Sequence, residues 1–198
     1  MSSDIEALRA IEDLFEKYLK EESAEKLLSL YYIVFDGYDT ARKTIIEKFG
    51  SVKLYLQVSE DLSKAGIVEI PEEAKRLLSA REGELYQLLT KDARTVAERF
   101  DPFTQGIVAL TLLKFRNTHE LPRDVEELFY IYMLLTGEHV PEKVREVCLK
   151  NLFRAHLLKS YSSYRLEWSP PALYILKALE DIVPHIRIEF YRERKEEK

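Results

Sequence analysis

Between Pro141 and Arg165 the sequence sets six basic side chains, Lys143, Arg145, Lys150, Arg154, Lys159 and Arg165, against two carboxylates, Glu142 and Glu146. That is a strong local excess of positive charge in a chain whose formal net charge is −5. Clustered ammonium and guanidinium groups attract anions, and phosphate is the anion that such clusters meet most often. On a helix advancing about 100° per residue, Lys143, Lys150 and Arg154 fall within roughly 40° of one another. They lie opposite a stripe of Val144, Val147, Cys148, Asn151, Leu152 and Ala155 that reads as the buried face. Lys159 and Arg165 continue the island beyond this helix, beside Tyr161 and Tyr164, whose rings suit the rim of a binding surface. Glu146 shares the basic side of the helix. Side chains that read base edges in pairs are sparse there, so the pattern favours contact with a backbone over reading of sequence.

Other chemistry finds no constellation. His119, His139, His156 and His185 are scattered, without a partner carboxylate at helical spacing and without a cysteine pair, so no metal site is expected. Cys148 sits on the apolar stripe and reads as a small core residue rather than a nucleophile. Six glycines form no phosphate-cradling loop. Adjacent carboxylates such as Glu126 and Glu127 read as solvated helix surface. Trp168 and the twelve tyrosines read as core and rim packing. The expectation is a protein that binds, not an enzyme, and one without a cofactor.

Positioning the basic island requires a folded scaffold, and the composition supplies one. With 198 residues and 46% hydrophobic content, the chain has length enough for one domain or two small ones. No apolar run approaches a membrane span; "LLSLYYIVF" (Leu27 to Phe35) is among the longest. Met1 to Ala10 shows no secretory signal, and a single cysteine forms no internal disulfide, so a cytoplasmic setting is expected. A third of the residues are charged while Gln and Asn together number five, a balance expected of a thermophile. Charge is uneven: residues 1–100 carry 15 basic and 20 acidic side chains, residues 101–198 carry 15 of each.

The periodicity predicts a mainly α protein. A Ser3–Glu6 capping box opens a helix along Ile5, Leu8, Ile11, Phe15, Tyr18 and Leu19. The spacing of Leu8, Ile11, Phe15 and Tyr18 suits either a core seam or a homodimer contact through the N-terminal helices. Further helices are expected over 24–35, broken by Asp36-Gly37, and over 39–49, closed by Gly50. "VKLYLQV" (Val52 to Val58) alternates like a strand, yet Tyr55, Val58, Leu62 and Ala65 predict a helix ending at Gly66. Pro71 opens a short helix to Ala80, and a Ser79–Glu82 capping box leads into the next. Asp101-Pro102 caps a helix over 103–116, Pro122 opens another over 122–135, and Pro141 opens the helix of the basic island. Two short alternating runs, "HLLKS" and "YRLEW", then flank Ser162-Ser163 and predict a tight β-hairpin.

Helix, helix, turn, helix, hairpin over residues 101–185 resembles the winged helix-turn-helix fold, in which the hairpin is the wing. The resemblance rests on element order, and the Ser-Ser turn makes for a short wing. It implies a fold whose last helix enters the major groove of duplex DNA. The implied binding residues are Lys143, Arg145, Lys150, Arg154, Lys159, Arg165, Tyr161 and Tyr164. The implied function is DNA binding or DNA association, as in a transcriptional regulator or chromosome-maintenance factor. The competing reading is a protein-interaction adaptor using the same fold within a larger complex.

A second feature bears on residues 1–100. "DLSKAGIVEI" (Asp61 to Ile70) lines up with "NLFRAHLLKS" (Asn151 to Ser160), and a proline-started helix with Ala74 or Ala172 follows each. The register predicts a second winged-helix-like unit, nearly wingless, over 38–80. Coincidence is the alternative, since Leu, Lys and Ala crowd helix ends. Residues 186–198 read as a charged C-terminal tail.

Overall fold

The computed structural model describes residues 2–184. Residues 185–198, which hold His185 and the charged tail, lie outside the described residues. The chain forms two compact units, Met1–Asp92 and Ala93–Lys198. The described residues are mainly α-helical, with one small antiparallel sheet.

The N-terminal unit holds α1 (Ser2–Lys20), α2 (Ala24–Asp36), α3 (Tyr38–Phe49), α4 (Lys53–Lys64) and α5 (Glu73–Ser79). Its core includes Ile11, Phe15, Tyr18, Leu27, Leu30, Ile45, Leu62 and Leu78. The seam anticipated on α1 is therefore spent inside the unit: Ile11, Phe15 and Tyr18 are fully buried, and Leu8 packs against the same cluster. Burial against α2, α4 and α5 takes those side chains from water. The Tyr18 hydroxyl donates to Asp61 at 2.6 Å, linking α1 to α4, and Tyr31 donates to the Leu78 carbonyl at 2.5 Å. Lys53 to Val58 is helical, as the Tyr55–Val58–Leu62 spacing predicts, with Val52 as the N-cap and Leu54, Val58 and Leu62 inward. Ser79 ends α5 rather than capping the next helix, α6 (Glu82–Ala97).

The C-terminal unit continues with α7 (Pro102–Thr118), α8 (Val125–Thr136), α9 (Glu142–Arg154), β1 (Leu158–Tyr161), β2 (Leu166–Trp168) and α10 (Ala172–Ala178). Ile107, Phe129, Cys148, Leu152, Leu157, Leu158, Ile175 and Leu179 are central to its core. Asp101 caps α7 as expected: its carboxylate accepts the Thr104 N–H at 3.1 Å and the Thr104 hydroxyl at 2.6 Å. Pro122 does not open α8. Asp124 is the N-cap, accepting from the Glu127 N–H at 2.8 Å, and Pro122 and Asp124 in the lead-in contact the hairpin.

The hairpin forms, with β1 and β2 antiparallel and Leu158 opposite Trp168. Its turn is wider than a Ser-Ser pair. The Ser162 N–H donates to the Arg165 carbonyl at 3.0 Å, and the Ser162 hydroxyl accepts the N–H of Tyr164 and of Arg165. Serine side chains stabilise turns in this way, which is why a four-residue turn outcompetes the two-residue one that demands positive φ. The inward set alternates on β2, where Leu166 and Trp168 are half-buried and Glu167 is exposed. Before β1 it does not, since His156, Leu157 and Leu158 are all buried. Trp168 Nε1 donates to the Pro122 carbonyl at 2.7 Å, and Asp124 bridges to Arg165, so β2 lies between the α8 lead-in and β1.

The segments from Asp61 and Asn151 share more than residue types. Gly66 (φ 81°) and His156 (φ 64°) both reverse the chain in the left-handed region. At each, the following N–H closes on the leucine carbonyl five residues back: Ile67 to Leu62 at 3.1 Å, Leu157 to Leu152 at 3.0 Å. Gly50 and Gly137 end the preceding helices alike, each N–H reaching the carbonyl four residues back at 2.8 Å.

Carboxylates that cap and bridge give this unit a dependence on acid. Burial pushes the Asp101 carboxyl up, but hydrogen bonds from Thr104 and the helix backbone outweigh it and hold the group below its ordinary value. The Lys114 ammonium and the Arg123 N–H do the same for Glu127. A carboxyl depressed in the folded state contributes stability that is present above its unfolded value and lost as pH falls through the folded one. Urea midpoints should therefore fall below about pH 4. Asp101→Ala should cost about 1–2 kcal/mol at pH 7 and flatten that acid response.

Candidate nucleic-acid interface

The phase of α9 decides which basic residues are available. Its buried side chains are Cys148, Leu149, Leu152 and Phe153. Val147, expected on the buried stripe, is 54% exposed, while Leu149 and Phe153 turn inward. The face toward the core is thus rotated by less than half a turn of the helix from the expected stripe. The reason is Phe153, whose ring packs on Tyr161 of β1 at 5.5 Å between centroids and draws that side of the helix under the hairpin.

That rotation centres the basic stripe on the outer face. Lys143 and Lys150 are exposed and have no carboxylate partner among the described residues. Arg154 follows on the same face at the last turn and is half-buried. Val147 lies between them, and Glu146 stays exposed at the edge.

Arg145 points the other way. Its side chain is 13% exposed, and its guanidinium donates to Glu126 at 2.8 Å and to the Val140 carbonyl at 3.2 Å. It also lies 5.3 Å from the Phe129 ring centroid. These contacts hold α9 to α8, so Arg145 shares sequence with the island and not its surface.

The remaining candidates sit on the hairpin. Lys159 is exposed on β1 and lies 3.7 Å from Glu167 across the strand pair, which offsets part of its charge. Arg165 is exposed at the end of the turn, its backbone bridging to Asp124. Tyr161 is engaged with Phe153, as a support for α9. Tyr164 is 79% exposed at the tip. Lys143 and Lys150 with Arg154 form one group on α9, and Arg165 with Tyr164 a second on the hairpin.

Asn151 holds the helix in place rather than joining the apolar stripe. Its amide donates to Asp101 at 3.0 Å and to the Thr104 hydroxyl at 3.3 Å, tying α9 to the start of α7. Burial pushes the Cys148 thiol beside it up to about 12, so the thiolate that would react is unavailable near neutral pH. His119 caps α7 in the left-handed region, His139 is exposed and His156 is buried. Among the described residues no three His, Cys, Asp or Glu side chains gather as metal ligands.

The sequence reading missed an apolar surface on α8, where Tyr130, Leu134 and Leu135 are exposed. The signal was present, since α8 is apolar on nearly every side, "LFYIYMLL". Among the described residues no helix is long and apolar enough to cross a membrane. No protein-family model, curated protein or solved structure matches the chain.

Arg145 and Lys150 should separate in a mutational test. Arg145→Ala should lower the urea-unfolding free energy by about 1–3 kcal/mol, because it leaves the buried Val140 carbonyl without its donor and uncovers the Phe129 ring. Lys150→Ala should change it by less than about 0.5 kcal/mol.

Proposed function

We propose that the C-terminal unit is a winged-helix-like module that binds duplex DNA mainly through its phosphate backbone. The outer face of α9 carries the reading: Lys143 and Lys150, exposed and uncompensated, with Arg154 on the same line. Arg165 and Tyr164 on the hairpin extend that surface, and Lys159 adds a charge partly offset by Glu167. Arg145 supports the reading only indirectly, by fixing α9. Layout agrees with this assignment, since a helix after a tight turn precedes a hairpin whose central strand borders the lead-in to the previous helix. Lysines that place a protein on DNA carry no sequence information, so such a module fits a chromosome-associated factor or a regulator aided by other contacts. A protein-interaction adaptor is the second reading, favoured by the exposed Tyr130, Leu134 and Leu135 on α8.

Salt separates the two. Each neutralised phosphate releases condensed counterions, so affinity should fall steeply as salt rises. The triple variant Lys143→Ala, Lys150→Ala, Arg154→Ala should flatten the slope of log K against log salt by about three units and weaken binding to all duplexes alike. Fluorescence anisotropy with two unrelated duplexes measures both quantities. No binding by the unmodified protein at about 50 mM salt, where screening is weak, rejects the DNA reading and leaves the adaptor.

A further inference from the structure

In the C-terminal unit three pieces of chain lie side by side: the residue before α8, then β2, then β1. Asp124 bridges to Arg165 at the start of β2, and β2 pairs along β1. The N-terminal unit has counterparts of the outer two pieces. Gly37 is the N-cap of α3 as Asp124 is of α8, and each helix has 12 residues. Val68 to Ile70 follow the left-handed Gly66 as Leu158 to Ser160 follow the left-handed His156. Each unit then proceeds to a helix of 7 residues, α5 or α10. What the N-terminal unit lacks is the middle piece, because Pro71 starts the approach to α5 where the other unit makes its hairpin.

The place of that missing strand is open. A groove of about 520 Å³ runs between Asp36, Gly37 and Tyr38 on one side and Val68, Glu69 and Ile70 on the other. Val68 is 88% exposed, whereas its counterpart Leu158 is fully buried under the hairpin. Among the described residues, Val68, Glu69 and Ile70 make no backbone–backbone hydrogen bond. Unpaired amides and carbonyls beside a groove lined by both apolar and charged side chains are what an added amphipathic strand satisfies. Charge narrows the choice of strand. Asp36 and Glu69 have no basic partner among the described residues, and Lys75 is already paired with Glu72 at 3.3 Å.

We propose that this groove receives an extended segment of a partner protein, which takes the position that β2 holds in the C-terminal unit. The segment alternates apolar residues, set against Val68, Ile70 and Tyr38, with Lys or Arg set toward Asp36 and Glu69. Backbone pairing supplies affinity that does not depend on sequence, and the alternation and charge supply specificity. Phosphate contact by α9 is not required for it, so the two activities stand or fall separately.

The probe is a labelled, acetylated pentapeptide copying Arg165 to Ser169 with Glu167→Lys, titrated into the full chain. Binding should saturate and weaken with salt, and amide exchange at Val68, Glu69 and Ile70 should slow on addition. Val68→Arg alters an exposed side chain, so circular dichroism should be unchanged while affinity falls tenfold or more. Asp36→Lys with Glu69→Lys should likewise weaken the basic peptide, and should strengthen one carrying Glu in place of its Arg and Lys. Absence of binding, binding without slowed exchange at those three amides, or full affinity in Val68→Arg would overturn the proposal. So would slowing of the same amides with rising protein concentration in the absence of peptide, which would assign the groove to a second copy of the chain.

Discussion

The C-terminal unit depends on one backbone closure, the Leu157 N–H on the Leu152 carbonyl at 3.0 Å, with His156 held at φ 64° between them. A left-handed conformation costs a residue bearing a Cβ about 1–2 kcal/mol. Burial offsets it, because the reversal places Leu157 and Leu158 wholly within the core, and each such side chain contributes roughly 1.5–3 kcal/mol. The Ser169 N–H and hydroxyl then bond the carbonyls of Leu157 and His156, so the exit from the hairpin is pinned to its entry. With α9 ended there, β1 must run back along it. Phe153 meets Tyr161, the helix settles in its observed phase, and the lysines face outward.

Two populations of basic side chain result, and they do different work. Arg145 is sheltered, bonded to a carbonyl and a carboxylate and set over an aromatic ring. Arg94 is bidentate with Asp181, and Lys114 meets Glu127 between α7 and α8. Such groups link one element to another, and where the partner is buried, as the Val140 carbonyl is, their replacement leaves a polar atom unsatisfied. Lys143 and Lys150 have no such duty, so the charge that would meet a phosphate is energetically separate from the fold. Separation of this kind leaves the outer face of α9 free to change charge without unfolding its scaffold.

Most of the helices were legible in the sequence because local signals agreed: Gly50 as a helix-ending cap, Asp101 before Pro102, apolar spacing through α4. The hairpin was legible from the alternation of β2 and the serines before it. The misreadings share a physical origin. The buried stripe of α9 was drawn from aliphatic spacing, but the hairpin decides which side is covered, and it favours Phe153 over Val147. Pro122 has the fixed φ of a helix start, yet its carbonyl is taken by Trp168 from 46 residues away. Arg145 belongs to the basic island by composition alone, since the carboxylate that claims it comes from another helix. In each case a contact distant in sequence outweighed a local preference.

Gly66 and His156 make the same left-handed turn with different consequences for the chain that follows. At Gly66 the left-handed turn has no Cβ to oppose it, and the chain leaves without covering itself; Val68 stays in water. At His156 the same turn is strained, and the hairpin that follows supplies the burial that holds it. Aligning the helices before these turns sets Lys53 with Lys143 and Lys64 with Arg154, but Glu60 with Lys150. Glu60 pairs with Lys64 at 3.0 Å, so the outer face of α4 is neutralised where that of α9 is positive. One unit therefore keeps its third strand and a cationic helix, and the other keeps a neutral helix and an open slot bordered by carboxylates. The outer face of α9 is positive and the slot by Val68 is bordered by carboxylates, so the two surfaces are opposite in sign and a ligand suited to one is repelled by the other.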